Sequence, residues 1–119
     1  MLSNIGPEQR VYLACGVTDM RKSIDGLAAL VQAQFQLDPF SPCLFVFCNR
    51  QRDKLKILCW QHNGFWLFYR RLERGRFEWP NSAEDKTVVI SHRELNWLLD
   101  GLSLNQQKAR PKVVAQTVV

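Results

Sequence analysis

Residues 54–72 read KLKILCWQHNGFWLFYRRL, and the organisation of the whole chain can be worked out from this segment. Two runs rich in aromatic and branched apolar residues flank the dipeptide Asn63-Gly64. An Asn-Gly pair between two such runs is the strongest short-range sequence signal for a β-hairpin. We therefore expect two antiparallel strands joined by a two-residue turn.

The position of that turn predicts the register of the hairpin. A turn at Asn63-Gly64 places Lys56 opposite Arg71 and Lys54 opposite Glu73. Like charges directly opposite each other destabilise a strand pair. Lys56 and Arg71 therefore either splay into water or hold an anion between them.

The hairpin has two different faces, because side chains alternate along each strand. One face carries apolar side chains typical of a core, with Arg70 as the exception. The other face carries Lys54, Lys56 and Arg71 together with Trp60 and Tyr69. Cations beside stacking aromatics are typical of proteins that hold single-stranded or distorted nucleic acid, although core packing accounts for most aromatics of an ordinary domain.

The segments before the hairpin predict a strand, a helix and a second strand. Residues 11–15 (VYLAC) are typical of a strand. Apolar residues then recur with helical spacing over residues 24–35, and Thr18 or Asp19 is the predicted N-cap. Residues 43–48 (CLFVFC) are apolar on both faces, which is typical of a central strand covered on both sides.

The segments after the hairpin predict one more strand and a second helix. Residues 87–90 form the expected strand, and Ser91 and Glu94 have the spacing of a capping box. The leucines that follow predict a helix ending near Gly101. The order β-α-β-β-β-β-α indicates an α+β fold, a mostly antiparallel sheet with helices packed on one face or end.

Composition indicates a small globular protein. The chain has 119 residues, of which 46% are hydrophobic and 23% charged, and this balance fits a single domain. We expect that domain over residues 1–102 and a basic, then apolar, mobile tail over residues 103–119.

No apolar run reaches the ~20 residues that span a bilayer, and the N-terminus does not resemble a secretion signal. We therefore expect a cytoplasmic protein without membrane association.

Positive charge is concentrated in the middle of the sequence. Residues 50–76 contain eight basic and two acidic residues, although the net charge of the whole chain is only +5. This asymmetry indicates an anionic partner, first of all nucleic acid, and a solvated basic face is the alternative. The candidate nucleic-acid-binding residues are Arg50, Arg52, Lys54, Lys56, Arg70, Arg71, Arg74 and Arg76. The candidate stacking residues are Trp60, Trp66 and Tyr69.

No catalytic constellation is evident in the sequence. Without a secretion signal, the four cysteines are expected to be reduced thiols. Cys59 and His62 have the spacing of a metal pair, but Cys43 and Cys48 on one strand point to opposite faces, so we expect no metal site. We find no nucleophile with a neighbouring base and no glycine-rich phosphate loop. We therefore expect no enzymatic activity, no catalytic residue and no cofactor, with a cryptic metal-dependent nuclease as the least favoured alternative.

Three segments resemble a known protein family. They are residues 16–27 (GVTDMRKSIDGL), residues 44–50 (LFVFCNR) with residues 53–56 (DKLK), and residues 63–80 (NGFWLFYRRLERGRFEWP). They are similar to the TnpB (Orf2-like) accessory proteins of the insertion-sequence-66 (IS-66) family of bacterial transposons. The resemblance implies a role in DNA transposition beside a separate transposase and a companion helix-turn-helix protein. It supplies no catalytic residues.

These observations together predict a non-enzymatic accessory protein for transposition. We expect it to bind the transposon ends through the basic, aromatic-containing face of the hairpin and to contact the transposase and the companion helix-turn-helix protein. The alternative is a protein–protein adaptor that docks onto the transposase without touching DNA. DNA affinity of the isolated protein, falling with salt, would distinguish the two.

Overall fold

The computed structural model describes residues 9–80 and 84–101. The elements are, in order, β1 (Val11–Ala14), α1 (Ile24–Ala33), β2 (Leu44–Cys48), β3 (Lys54–Gln61), β4 (Gly64–Arg71), β5 (Thr87–Ile90) and α2 (His92–Leu99). The predicted order and the α+β fold are confirmed. The tail expected over residues 103–119 lies outside the described residues. Within the described ranges, no helix is long and apolar enough to cross a membrane.

The five strands form one sheet in the order β4-β3-β2-β1-β5. β1 and β2 are parallel, because α1 carries the chain back across the sheet between them. All other neighbours are antiparallel. β2 is therefore the central strand, and every one of its residues is buried.

The two helices cover opposite faces of this sheet. Leu27 and Val31 of α1 share a core cluster with Phe45 and Phe47 of β2. On the other side, α2 contributes Leu95 and Leu98 to a larger cluster with Leu44, Val46 and Cys48 of β2. We call these sides the α1 face and the α2 face. The sequence indicated helices on one face or end of the sheet, and the structure differs. A central strand that is apolar on both faces needs a helix on each face, because burying one large apolar side chain stabilises the fold by roughly 1.5–3 kcal/mol.

The predicted register of the hairpin is wrong by two residues on β4. Lys56 lies opposite Tyr69, and Lys54 lies opposite Arg71. The predicted pairing of Lys56 with Arg71 is therefore absent. Because a shift of two residues preserves the alternation of side chains, each face of the hairpin nevertheless carries the side chains predicted for it.

The cause of this shift is the position of the turn. His62 and Asn63 both have positive φ angles, of 49° and 69°, which is the combination that a type I′ turn requires. Gly64 is already the first residue of β4 and pairs with Gln61. The turn is thus centred on residues 62–63, one residue earlier than the Asn-Gly dipeptide indicated.

The first helix begins later than its sequence indicated. Its N-cap is Ser23, so the prediction of Thr18 or Asp19 is wrong. Asp19 instead accepts a hydrogen bond from the backbone N–H of Arg21 at 2.9 Å. The backbone N–H of Thr18 donates to the carbonyl of Cys48 at 2.8 Å. These contacts hold residues 17–22 as a loop across the end of the sheet.

The second helix begins as predicted. The Ser91 hydroxyl accepts a hydrogen bond from the Glu94 backbone N–H at 3.0 Å, and the Glu94 carboxylate accepts one from the Ser91 backbone N–H at 2.8 Å. This reciprocal pair is a capping box. Gly101, with a φ of 79°, follows the helix as expected.

Candidate nucleic-acid interface

A groove of about 780 Å³ lies where β1 and β2 end. Because the two strands are parallel, their carboxyl ends meet at the same edge, and the chain leaves them in different directions. The loop after β1, the turn after β2 and the basic end of the hairpin line this space. We call it the basic groove, and its lining residues are Val17, Thr18, Asp19, Met20, Arg21, Asn49, Arg50, Gln51, Lys54, Lys56 and Tyr69.

The turn after β2 is held by the buried side chain of Asn49. Its amide oxygen accepts hydrogen bonds from the backbone N–H groups of Asp53 and Lys54, at 3.1 and 3.0 Å. Its amide nitrogen donates to Asp53 at 2.7 Å and to Gln51 at 3.2 Å. A satisfied buried amide of this kind fixes a turn in one conformation. Arg50 and Gln51 are therefore presented to the groove by a rigid turn.

The side chain of Arg52 makes its contacts within the protein. Its guanidinium donates to the carbonyl of Gly16 at 2.8 Å and lies 5.9 Å from the centre of the Trp79 ring. Its own carbonyl accepts a hydrogen bond from the Phe77 backbone N–H at 2.7 Å. Arg52 thus ties the loop after β1 and the segment around residues 77–79 to the turn.

The ammonium group of Lys56 is also hydrogen-bonded within the protein. Its ammonium donates to the carbonyls of Met20 and Lys22 at 2.7 and 2.8 Å, and it lies 6.0 Å from the centre of the Tyr69 ring. These bonds attach the loop before α1 to the sheet. Lys56 still adds positive charge to the groove, because carbonyl partners carry no net charge.

The like-charged pair of the hairpin is Lys54 and Arg71, and each has an acidic neighbour. The Lys54 ammonium lies 3.6 Å from the Asp53 carboxylate, and Arg71 bonds Glu73 at 2.9 Å. The expected placement of Glu73 opposite Lys54 is therefore wrong. Hydrogen bonding to Asn49, followed by the charge of Lys54, lowers the pKa of the Asp53 carboxyl, and hydrogen bonding to Glu73 raises the pKa of Arg71. These local pairs offset the repulsion between the two cations.

The other four candidate cations are exposed and lie in different places. Among the residues that the structure describes, Arg50, Arg70, Arg74 and Arg76 have no acidic partner. Arg50 lines the groove, whereas Arg70 lies on the α2 face beside Phe68 and Leu99. Arg74 and Arg76 follow β4. The eight residues proposed from the sequence therefore do not form one continuous surface.

Sequence reasoning missed the loop after β1. Asp19 and Arg21 form an ion pair there at 2.8 Å, and the hydrogen bonds from Arg21 lower the pKa of Asp19 to about 2. The charge of Arg21 is thereby balanced by its neighbour. Local sequence patterns predict only a helix N-cap in this loop. The parallel pairing of β1 with β2 places it in a groove, and that pairing depends on the tertiary fold.

Of the three candidate stacking residues, only Tyr69 lines the groove, and 54% of it is exposed. Trp60 lies near the hairpin turn and packs edge-on against Phe40, with ring centres 4.9 Å apart. Trp66 lies on the α2 face, stacked on Phe68 at 6.0 Å. The structure therefore separates the aromatics that the sequence had grouped.

Two of the four cysteines, Cys48 and Cys59, are withdrawn from this surface. Cys48 and Cys59 are buried, and burial raises the pKa of both thiols. A thiol that remains protonated is a poor nucleophile and a poor metal ligand. Over residues 9–80 and 84–101, no group of three or more His, Cys, Asp or Glu side chains is placed to hold a metal ion.

Comparison with known proteins relates this chain to one protein family and to proteins of similar length. A family model described as "IS66 Orf2 like protein" matches residues 9–109. The uncharacterized protein y4hO of Sinorhizobium fredii is 41% identical over 111 residues, which cover 92% of this chain and 96% of the relative. A second protein of that organism, the uncharacterized y4jC, is 32% identical over 109 residues, covering 90% of this chain and 92% of the relative. No solved structure matches the chain.

Proposed function

Because this chain belongs to the IS66 Orf2-like family, which implies an accessory role in transposition, we propose that it binds the DNA of its element at the basic groove. The observation that carries this proposal is the convergence of Arg50, Lys54 and Lys56 on one groove beside an exposed tyrosine. The protein supplies binding and positioning, and the transposase supplies the chemistry.

Phosphate neutralisation is the proposed mechanism. Arg50 has no acidic partner among the described residues and is held at the groove by the rigid turn after β2, so its guanidinium is free to pair with a phosphate. Lys54 and Lys56 add to the positive field of the same groove. Arg71, Arg74 and Arg76 extend the field along the end of the hairpin. Contacts of this kind fix the position of a protein on DNA without reading its sequence.

Fluorescence anisotropy with labelled transposon-end DNA tests this proposal across a series of salt concentrations. We expect the logarithm of the affinity to fall linearly with the logarithm of the salt concentration. If three cations of the groove each release one counterion, the slope is roughly −2 to −3. Absence of binding at ~50 mM salt would refute direct DNA contact. A scrambled duplex of the same length tests sequence preference.

Two variants with the same change of charge localise the binding. Arg50→Ala should weaken DNA binding and make the salt slope shallower by about one unit. Arg93→Ala removes an exposed arginine from α2, on the opposite face of the sheet, and should have little effect. Equal losses of DNA affinity in both variants would show that the affinity depends only on the net charge of the protein.

A second candidate function is the adaptor. It is favoured by the stacked pair Trp66 and Phe68 on the α2 face, because 48% of Trp66 is exposed. A hollow of about 270 Å³ adjoins it, lined in part by Phe68, Arg70 and Leu99. Exposed aromatics beside an arginine are typical of protein interfaces. We propose the transposase or the companion helix-turn-helix protein as the partner, and co-purification with wild-type protein but not with Trp66→Ala is the expected result.

A further inference from the structure

The hydroxyl of Thr18 has no hydrogen-bond partner within the described part of the chain. Thr18 lines the basic groove and is only 5% exposed. Its backbone N–H donates to the carbonyl of Cys48, but that bond leaves the side chain unsatisfied. Buried hydroxyl groups are almost always hydrogen-bonded in folded proteins. A polar group supplied from the groove would satisfy this one.

The side chain of Gln51 provides a second polar group beside it. Its amide oxygen accepts the hydrogen bond from Asn49 at 3.2 Å, and this contact orients the side chain. The two N–H donors of the Gln51 amide have no partner among the described residues. Gln51 lines the same groove as Thr18. The groove therefore offers hydrogen-bonding groups that can accept and donate, in addition to its cations.

The ring of Tyr69 supplies a flat surface in the same groove. Lys56 lies on the ring, with its ammonium 6.0 Å from the centroid, and 54% of the tyrosine remains exposed. An exposed aromatic ring beside cations is a platform on which a nucleic-acid base stacks. The bases inside an intact duplex are covered on both faces by neighbouring base pairs, whereas an unpaired base has a face free to lie on Tyr69.

We propose that the basic groove receives one unpaired nucleotide of the DNA, which deepens the proposed function and rests on it. The base stacks on Tyr69, while Thr18 and Gln51 hydrogen-bond its polar edge. Arg50 and Lys54 neutralise the adjoining phosphates. A volume of about 780 Å³ lies within the range of pockets that bind ligands of nucleotide size. The protein then prefers single strands, or duplex ends that have opened, over closed duplex.

The test compares two labelled probes by anisotropy at low salt. One probe is a fluorescein-labelled 12-residue oligothymidine, and the other is a blunt two-stranded duplex with the same label, in which every base is paired. Wild-type protein should bind the single strand more tightly. Tyr69→Ala should weaken that binding by between about 5-fold and about 100-fold, the range expected for loss of one base–aromatic stack, and should change duplex binding little.

Control variants separate stacking from other effects. Tyr69→Phe keeps the ring and should retain single-strand binding. Thr18→Val keeps the shape of the side chain but removes the hydroxyl, and should weaken single-strand binding several-fold. Arg50→Ala should weaken both probes, because phosphates are common to both. Arg93→Ala removes an exposed arginine from α2 and should leave both affinities nearly unchanged. Thermal melting checks that every variant is folded.

The outcomes separate this inference from the proposed function. Equal binding of both probes that is insensitive to Tyr69→Ala but sensitive to Arg50→Ala would overturn the nucleotide pocket and leave DNA binding intact. Failure to bind either probe would overturn both. The last measurement tests binding of free thymidine 5′-monophosphate, added in excess. If it binds in a Tyr69-dependent manner while the oligonucleotide does not, the groove serves a free nucleotide and the inference is wrong.

Discussion

Two arginines separated by one residue show how position decides the role of a side chain. Arg50 lies at the tip of the turn after β2, exposed and directed to the groove. Arg52 has a positive φ of 62°, and its guanidinium donates to the carbonyls of Gly16 and Asn49. The same residue type therefore lines the groove at one position and holds three segments together at the other.

This difference predicts that two alanine substitutions change the stability by different amounts. Arg52→Ala should lower the free energy of unfolding by about 2 kcal/mol, because the charged hydrogen bonds to the carbonyls of Gly16 and Asn49 are lost. Arg50→Ala should change it by less than about 0.5 kcal/mol. Urea denaturation followed by tryptophan fluorescence measures both. Equal effects would contradict the separation of roles.

The Asp19 carboxyl gives a prediction about pH. Hydrogen bonds from Arg21 lower its pKa from 3.8 to about 2 in the folded protein. Because the folded value lies below the unfolded one, the stabilisation is present above about pH 4 and is lost as the pH falls through about 2. A carboxyl NMR titration should give a midpoint near 2, and Arg21→Ala should return it towards 3.8. A wild-type midpoint near 3.8 would show that the ion pair is not formed in solution.

At the scale of the element, the hairpin turn places two non-glycine residues in the left-handed region. His62 and Asn63 are the central residues, with φ angles of 49° and 69°. The double variant His62→Asn, Asn63→Gly places the preferred Asn-Gly pair at the observed turn centre. It should raise the free energy of unfolding by roughly 0.5–1 kcal/mol, measured by thermal or urea denaturation. A loss of stability would favour a turn centred on residues 63–64.

The two helix N-caps form a matched pair for a second test. Ser91 caps α2 with its side chain, whereas the Ser23 side chain makes no capping hydrogen bond in α1. Ser91→Ala should cost about 1 kcal/mol of stability. Ser23→Ala should cost less than about 0.5 kcal/mol, because no side-chain bond is lost. Urea denaturation of both variants tests the difference, and a larger loss at Ser23 would contradict it.

At the scale of the whole molecule, the sheet separates two surfaces. The basic groove opens on the α1 face, and the Trp66–Phe68 pair lies on the α2 face. Substitutions on different faces with no shared partners act independently. Trp66→Ala should therefore leave the DNA affinity within about 2-fold of wild type, as measured by anisotropy. A large loss would show that DNA reaches both faces.

Much of the architecture followed from local patterns in the sequence. The order of elements, the capping box at Ser91 and the fully buried strand β2 all depend on residues that are close together in the chain. The assignment of side chains to the two hairpin faces also held, although the register was wrong, because alternation survives a shift of two residues. The basic character of the hairpin and its neighbouring turns was likewise visible as a concentration of charge.

The make-up of the candidate site was decided by the tertiary structure. Only the parallel pairing of β1 with β2 brings the loop of Thr18 and the turn of Arg50 to the same edge of the sheet. Arg52 donates to the carbonyl of Gly16, and Lys56 donates to the carbonyl of Met20. Both acceptors lie more than thirty residues away in the chain, so these bonds form only in the folded protein. Sequence patterns report the neighbours of a residue along the chain. The availability of a charge depends on its neighbours in space, and those are set by the packing of the whole sheet.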